Sequence, residues 1–308
     1  MCKGMKIEDF GKLVAEEIRL ILGSEYSIEY KEVSKNNGVL YHALVIRKEE
    51  DNIAPTIYID GYYESYVNGK EIEEIAGSII NLYEESMPKE KFDASFFTDF
   101  SAVCEHLSFK VTNYEKNKDN LTDVPYKKVE DLALVPICLV SDHFMGEGSI
   151  TIKNSHLRSW EVSFDELWEN VWENAEKTLP VRIRTMSETL EQMGNACEEY
   201  MFLPDNIFVV SNTRSMFGAA TVFYPGVLEN LAEKIGNDFV VLPSSVHEAI
   251  VMPVPEDETA LFTLVSIVKE VNRTVICSED YLSDNVYRYS VEEKRIWAIN
   301  DSGVSTSI

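Results

Sequence analysis

Near the start of the chain, apolar residues recur at the spacing of one helical face. Ile7, Phe10, Val14, Ile18 and Ile21 predict a helix from about Lys6 to Leu22. The pattern then changes to the two-residue alternation of strands over Ser27–Val33 and Val39–Arg47. Asn36-Asn37-Gly38 lies between them, and these residue types accept the positive φ angles of a tight hairpin. Thr56–Ile59 reads as a third strand and Asp60-Gly61 as a turn. A helix from about Lys70 to Ser86 follows, with Ile72, Ile75, Ile79 and Tyr83 turned inward.

Asn113–Asp123 is polar and rich in Lys and Asn, which suits a boundary or one long loop. Beyond it, Asp131–Val140 and Ser149–Lys153 read as strands joined through a loop holding Gly146 and Gly148. The clearest helix on the chain starts after Ser163, an N-cap with Glu166 at the capping-box position. Phe164, Leu167, Trp168, Val171, Trp172 and Ala175 form its apolar stripe, and Asp165, Glu169 and Glu173 its outer face. Asn206–Ser211 predicts another strand. Pro225 opens a helix that carries Leu228, Leu231 and Ile235 and stops at Gly236. Residues 240–253 predict strand, polar corner and strand, with Val240, Leu242, Ile250 and Met252 facing the core. A last long helix spans about Asp257–Val271, and the chain after Tyr289 reads as loosely held.

Strand pairs thus lead into amphipathic helices near residues 39–86, 131–178 and 238–271. Antiparallel strand pairs, each followed by a helix packed on the sheet, define an α+β fold rather than a doubly wound parallel sheet. The expected division is an N-terminal α+β half over 1–112, a C-terminal α+β half over 124–290, and a loosely ordered tail over 291–308.

Charge narrows the partners. The 308 residues carry 53 acidic and 28 basic side chains, a formal net charge of −25. That sign repels phosphate backbones and anionic lipid, so ordinary nucleic-acid and membrane partners are not expected. The carboxylates are spread along the chain, as on a solvated surface; a DNA-mimicking or basic-partner face is the sharper alternative. No apolar run approaches the ~20 residues of a membrane span, and the start of the chain leads into an amphipathic helix rather than a signal sequence. Five scattered cysteines (Cys2, Cys104, Cys138, Cys197 and Cys277) suit a reducing cytoplasm. Among them Cys104, Cys138 and Cys277 have the apolar neighbours of buried thiols.

Motifs of catalysis are sparse. The chain has no Gly-x-x-x-x-Gly-Lys-Ser/Thr, no Gly-x-Gly-x-x-Gly, no Cys-x-x-Cys and no His-Glu-x-x-His. His42, His106, His143 and His156 lack mutual ligand spacing, so neither metal nor cofactor is expected. Ser266-Ile-Val-Lys269 and Ser283-Asp284-Asn285 imitate two motifs of penicillin-binding enzymes. The third motif is missing and the first two stand too close together, so the match is coincidence. Ser244, Ser245, His247 and Glu248 crowd into one corner, but Pro243 offers no N–H for an oxyanion hole and no Gly-x-Ser-x-Gly surrounds the serines. The corner reads as structural, with His247 and Glu248 kept as candidate binding residues. Tyr58, Tyr62, Tyr63 and Tyr66 form the other candidate surface. Tyrosine gives rigid, amphipathic contact area, so Tyr62, Tyr63 and Tyr66 are the candidate recognition residues beside a plain packing role.

Several blocks together resemble one family. They are Asn36-Asn-Gly-Val, Ala54-Pro-Thr-Ile-Tyr-Ile, Val124-Pro-Tyr through Glu130-Asp-Leu-Ala, Gly218-Ala-Ala, Leu242-Pro-Ser-Ser-Val-His-Glu and Leu282-Ser-Asp-Asn-Val-Tyr. In combination they resemble the bacterial family called domain of unknown function 5688, over about residues 5–290. The resemblance implies a cytoplasmic bacterial α+β protein and carries no activity, cofactor or catalytic residue. With no catalytic or cofactor motif and a large negative charge, the function expected is non-enzymatic, through contacts with another protein. The alternative is a small-molecule hydrolase or transferase with its site near His247 and Glu248.

Overall fold

The first apolar stripe forms helix α1 (Ile7–Leu22), which buries Phe10, Gly11, Val14, Ala15 and Ile18. Ile21 of the expected face is 54% exposed instead, and Gly11 and Ala15 complete the seam. Gly11 is there for space: a Cβ would stand 2.6 Å from Cδ2 of Tyr30. The computed structural model describes residues 4–49, 51, 54–87, 95–142, 146–194, 204–300 and 303–304. Cys2, Cys197 and His143 lie outside the described residues. The chain divides into two compact units, Met1–Ser95 with Ser141–Gly148, and Phe96–Val140 with Ser149–Ile308.

In the first unit, strands β1 (Tyr26–Ser34), β2 (Leu40–Lys48) and β3 (Thr56–Tyr58) make an antiparallel sheet in chain order. The hairpin at 36–38 uses the expected positive angles, φ 60° at Asn37 and 70° at Gly38. Asp60-Gly61 is not a turn. It opens a short helix, α2 (Asp60–Val67), so the tyrosines of this stretch stand on a helix. Helix α3 (Ile72–Ser86) then buries Ile75, Ala76, Ile79, Ile80 and Tyr83 against α1 and the sheet.

The second unit opens with α4 (Phe100–Cys104) and β4 (Leu107–Asn113). The polar stretch 113–123, expected to separate the halves of the chain, lies within this unit and buries Asn117 and Leu121. Asn117 donates to Thr112 Oγ1 at 2.6 Å and to the Asn113 carbonyl at 2.8 Å. Strands β5 (Lys127–Val129), β6 (Leu132–Asp142) and β7 (Gly146–Thr151) follow. One sheet has the order β4-β6-β5, with β7 also on β6.

After α5 (Asn154–Trp160) comes α6 (Phe164–Thr178). Ser163 Oγ accepts the Glu166 N–H at 3.2 Å, an N-cap worth about 1 kcal/mol. Leu167, Trp168, Val171 and Ala175 turn inward, and the Trp168 indole N–H is satisfied by the Pro125 carbonyl at 2.9 Å. Phe164, at the first position of the helix, is 40% exposed instead, its ring 6.4 Å from that of Trp168.

The remaining elements are β8 (Val181–Thr185), α7 (Met186–Gln192), β9 (Phe208–Asn212), α8 (Val227–Ile235), β10 (Phe239–Ser245), β11 (Glu248–Pro253), α9 (Glu258–Thr274), β12 (Val286–Ser290), β13 (Arg295–Asn300) and β14 (Gly303–Val304). They build a seven-stranded sheet ordered β14-β13-β12-β10-β11-β9-β8, antiparallel at every pairing. The chain after residue 290, expected to be loose, supplies β13 and β14, and Ala298 and Ile299 are buried. Residues 240–253 form the expected strand, corner and strand, but both faces are covered. Val240 and Leu242 pack with Val265 and Val268 of α9, while Phe239, Val241, Ala249 and Val251 join the main core with α6 and α8. A central strand has no solvent face to alternate with.

The fold is α+β. Among the described residues no helix is long and apolar enough to cross a membrane. Of the three described cysteines only Cys138 is fully buried; Cys104 is half-buried and Cys277 exposed.

Candidate functional site

The tyrosine surface is positioned by a bond between α2 and β2. Asp60 begins α2, and its carboxylate grips residue 42 twice: Oδ2 accepts the His42 backbone N–H at 3.0 Å and Oδ1 meets Nδ1 of the ring at 2.8 Å. The Ile59 N–H donates back to the His42 carbonyl at 2.8 Å. Tyr30 stacks on the other side of the imidazole, centroids 6.2 Å apart, and its phenol is held above its ordinary pKa chiefly by burial. Helix α2 therefore leaves the sheet at a set angle. Sequence reasoning missed this pair, because His42 and Asp60 are eighteen positions apart and follow no periodicity.

From that start, α2 sends Tyr63 and Tyr66 toward α1. Their rings lie 5.5 and 5.1 Å from Phe10, and the Tyr63 hydroxyl donates to the Met5 carbonyl at 2.6 Å. Beyond them opens a groove of about 720 Å³. Met5, Tyr63, Tyr66, Val67 and Ile72 give it apolar walls, and Lys70, Glu71 and Glu73 stand at its margin. Val67 is 63% exposed. Gly69, at φ +102°, makes the sharp passage from α2 into α3 that shapes the groove floor. Tyr62 does not line it; it packs on the first unit's core. Tyr58 stands apart on β3, against Tyr41 at 5.3 Å.

The second candidate lies in the other unit. Between β10 and β11 the chain bulges at Ser245. Ser245 Oγ accepts the His247 N–H at 3.0 Å, and Ser244 Oγ donates to Glu248 Oε1 at 3.4 Å. The imidazole faces away from both hydroxyls. Nδ1 accepts the Phe217 backbone N–H at 3.4 Å, so the ring proton resides on Nε2, which faces Asp280 Oδ1 at 3.3 Å. Phe217 stacks on the ring with its plane tilted by 13°. The carboxylate of Asp280 also accepts from Cys277 Sγ at 3.1 Å, which holds that thiol above its ordinary pKa. A serine–histidine dyad needs an imidazole nitrogen bonded to the hydroxyl; here Nδ1 meets backbone and Nε2 meets carboxylate, while the two hydroxyls bond to the His247 N–H and to Glu248. The corner thus fastens three chain segments together.

Gly218 shows how tightly. Its neighbour Ser211 donates from Oγ to the His247 carbonyl at 2.8 Å, and a Cβ at 218 would overlap both of those atoms. Two more of the sequence blocks that resemble the family meet nearby. Asp131 accepts the Ser283 hydroxyl at 2.7 Å and the Tyr287 hydroxyl at 2.6 Å. Asn113 donates to the Leu282 carbonyl at 3.0 Å. Ser283 of the Ser-Asp-Asn triplet is a buried structural donor. Burial first, and then the Asp131 charge, push the Tyr287 phenol well above its usual pKa, so it stays a donor. Among the described residues no group of three or more His, Cys, Asp and Glu could hold a metal ion.

The family described as of unknown function, DUF5688, matches residues 7–291. The chain belongs to DUF5688. The match spans both units of the fold, and the family's description assigns no activity to the groove or to the His247 corner. No curated protein matches the chain. No solved structure matches it either.

Proposed function

We propose that this DUF5688 protein is a non-enzymatic, acidic protein of the bacterial cytoplasm that works by contacting another protein, with the tyrosine groove of the first unit as its contact surface. The groove itself carries the reading. It is apolar, walled by two tyrosines whose positions are locked, and bounded by charged residues, which is the make-up of a recognition surface rather than of a reaction centre. Locked aromatic rings lose little conformational freedom on contact. The charge of −25 favours solubility and speeds encounter with a basic partner. The three described thiols, all free, suit a reducing compartment.

Val67→Glu tests the reading. Val67 is mostly exposed, so the change leaves folding intact while placing a charge in the groove. Tagged wild-type and variant proteins are purified from the native host and compared by quantitative mass spectrometry. A partner retained by wild type and depleted at least about ten-fold in the variant, the scale of losing one central contact of roughly 1.4 kcal/mol, supports the groove. Equal recovery of every co-purifying protein would remove it as the contact surface.

A further inference from the structure

The seven-stranded sheet ends at β8, which among the described residues pairs only with β9. Two bonds reveal which side of β8 is open. The Thr213 N–H donates to the Pro180 carbonyl and the Met186 N–H to the Ile207 carbonyl. With the register Val181↔Asn212 through Thr185↔Phe208, the even-numbered residues of β8 therefore point their backbone groups at β9. The N–H and C=O groups of Val181 and Ile183 point the other way. The open stretch is closed at one end by Leu179, whose N–H is taken by the Ala175 carbonyl at 2.9 Å, and at the other by Thr185, whose N–H is taken by Glu188 Oε2 at 2.9 Å. Val181 and Ile183 also line a cleft of about 480 Å³, opposite Asn230 and Lys234 of α8 and beside Glu176 of α6.

The other face of β8 carries charge. Arg182 and Arg184 alternate with Val181 and Ile183, so their side chains leave the sheet on the side away from the cleft. Arg182 donates to Ser215 Oγ at 2.8 Å, and Arg184 to Gln192 Oε1. Both acceptors are neutral. In a chain with an acidic excess of 25, these two neighbouring guanidiniums are bound to neutral oxygens, and among the described residues neither is paired with a carboxylate.

We propose that β8 is a docking edge for an extended peptide segment with alternating apolar and acidic side chains, which adds as an eighth strand. The backbone groups of Val181 and Ile183 supply the ladder. The apolar side chains of the segment enter the cleft, away from the arginines, and its carboxylates meet Arg182 and Arg184 on the opposite face. A second copy of this chain does not fit. Antiparallel pairing of β8 with itself sets Arg182 against Arg184, and like charges directly opposite repel. Arginine on an edge strand guards against such self-pairing, and the same field attracts an acidic strand. The proposal stands apart from the tyrosine groove, which is in the other unit.

The test uses the full chain and fluorescein-labelled heptapeptides of alternating Val and Glu or alternating Val and Lys, read by fluorescence anisotropy. The Val/Glu peptide should bind at least about ten-fold tighter than the Val/Lys peptide, and Arg182→Glu with Arg184→Glu should reverse that order. Two further Val/Glu peptides are N-methylated at alternate amides, one at the odd and one at the even positions. One should lose binding by about ten-fold or more and the other keep it, because only one set of amides faces β8. Tryptophan fluorescence checks that the charge-reversed protein is folded. No saturable binding, equal binding of the two charge types, or equal loss with both methylation patterns would overturn the proposal.

Discussion

Replacing Gly218 with alanine adds one methyl group at a tightly enclosed point of the second unit. That methyl would overlap Ser211 Oγ and the His247 carbonyl oxygen and come within 2.9 Å of Ser211 Cα. Two of these three neighbours are backbone atoms of the sheet and its corner, so they cannot rotate aside. Gly218 is not at positive φ, so the cost is steric rather than conformational. Overpacking of this kind costs about 1–3 kcal/mol. Displacing Ser211 also breaks its bond to His247, for about 1 kcal/mol more. The expected loss is therefore about 2–4 kcal/mol. All four tryptophans, Trp160, Trp168, Trp172 and Trp297, belong to the second unit, so urea unfolding followed by tryptophan emission reads that unit selectively. With a slope of about 2–3 kcal/mol/M the midpoint should fall by roughly 0.7–2 M. Gly77→Ala is the control: it lies within α3, has nothing within 4 Å of its Cβ position, and should stabilise the first unit by about 0.5–1 kcal/mol through helix propensity. Circular dichroism follows that unit. A Gly218→Ala midpoint within about 0.2 M of wild type, well inside the loss expected from overpacking, would refute the close packing of Gly218, Ser211 and His247.

Trp168→Ala and Val171→Ala remove fully buried side chains of α6 and should cost about 2–5 kcal/mol and somewhat less, respectively; urea midpoints unchanged at both positions would show the buried face of α6 to be misassigned. Burial pushes the phenols of Tyr83, Tyr224 and Tyr281 up to about 12 each and holds Tyr287 well above its ordinary value. A raised folded-state pKa means that the stabilising contribution is intact below the unfolded value near 10 and is lost as pH rises from there through about 12. Absorbance at 295 nm, the tyrosinate band, should therefore show these four ionising only with alkaline unfolding, so that Tyr224→Phe lowers the late, cooperative step by one phenol; a change confined to the early, independent step would contradict the burial.

Local periodicity carries much of this fold, because a side chain's place on a helix or strand depends on its neighbours three or four, or two, positions away. Phe10, Val14 and Ile18 of α1, the Ser163 cap and inner face of α6, and the positive φ at Asn37 are all legible that way. So is the polar corner at 243–248, since proline and serine act on their own backbone. The misreadings share one cause. Whether Asp60-Gly61 turns or starts a helix is settled by His42, on another strand, which holds the Asp60 carboxylate. Whether residues after 290 hang free depends on β12 offering an unpaired edge. Both β10 and β11 look one-sided in sequence, yet α9 arrives from downstream to cover their second face. The groove and the open edge belong wholly to tertiary structure. The groove walls come from Met5, α2 and the start of α3, and β8 is an edge only because seven strands from across the second unit assemble in an order that leaves it last. Periodicity reports which residues gain from leaving water; which distant surface receives them is decided by packing, where shape and hydrogen-bond partners select among many apolar faces.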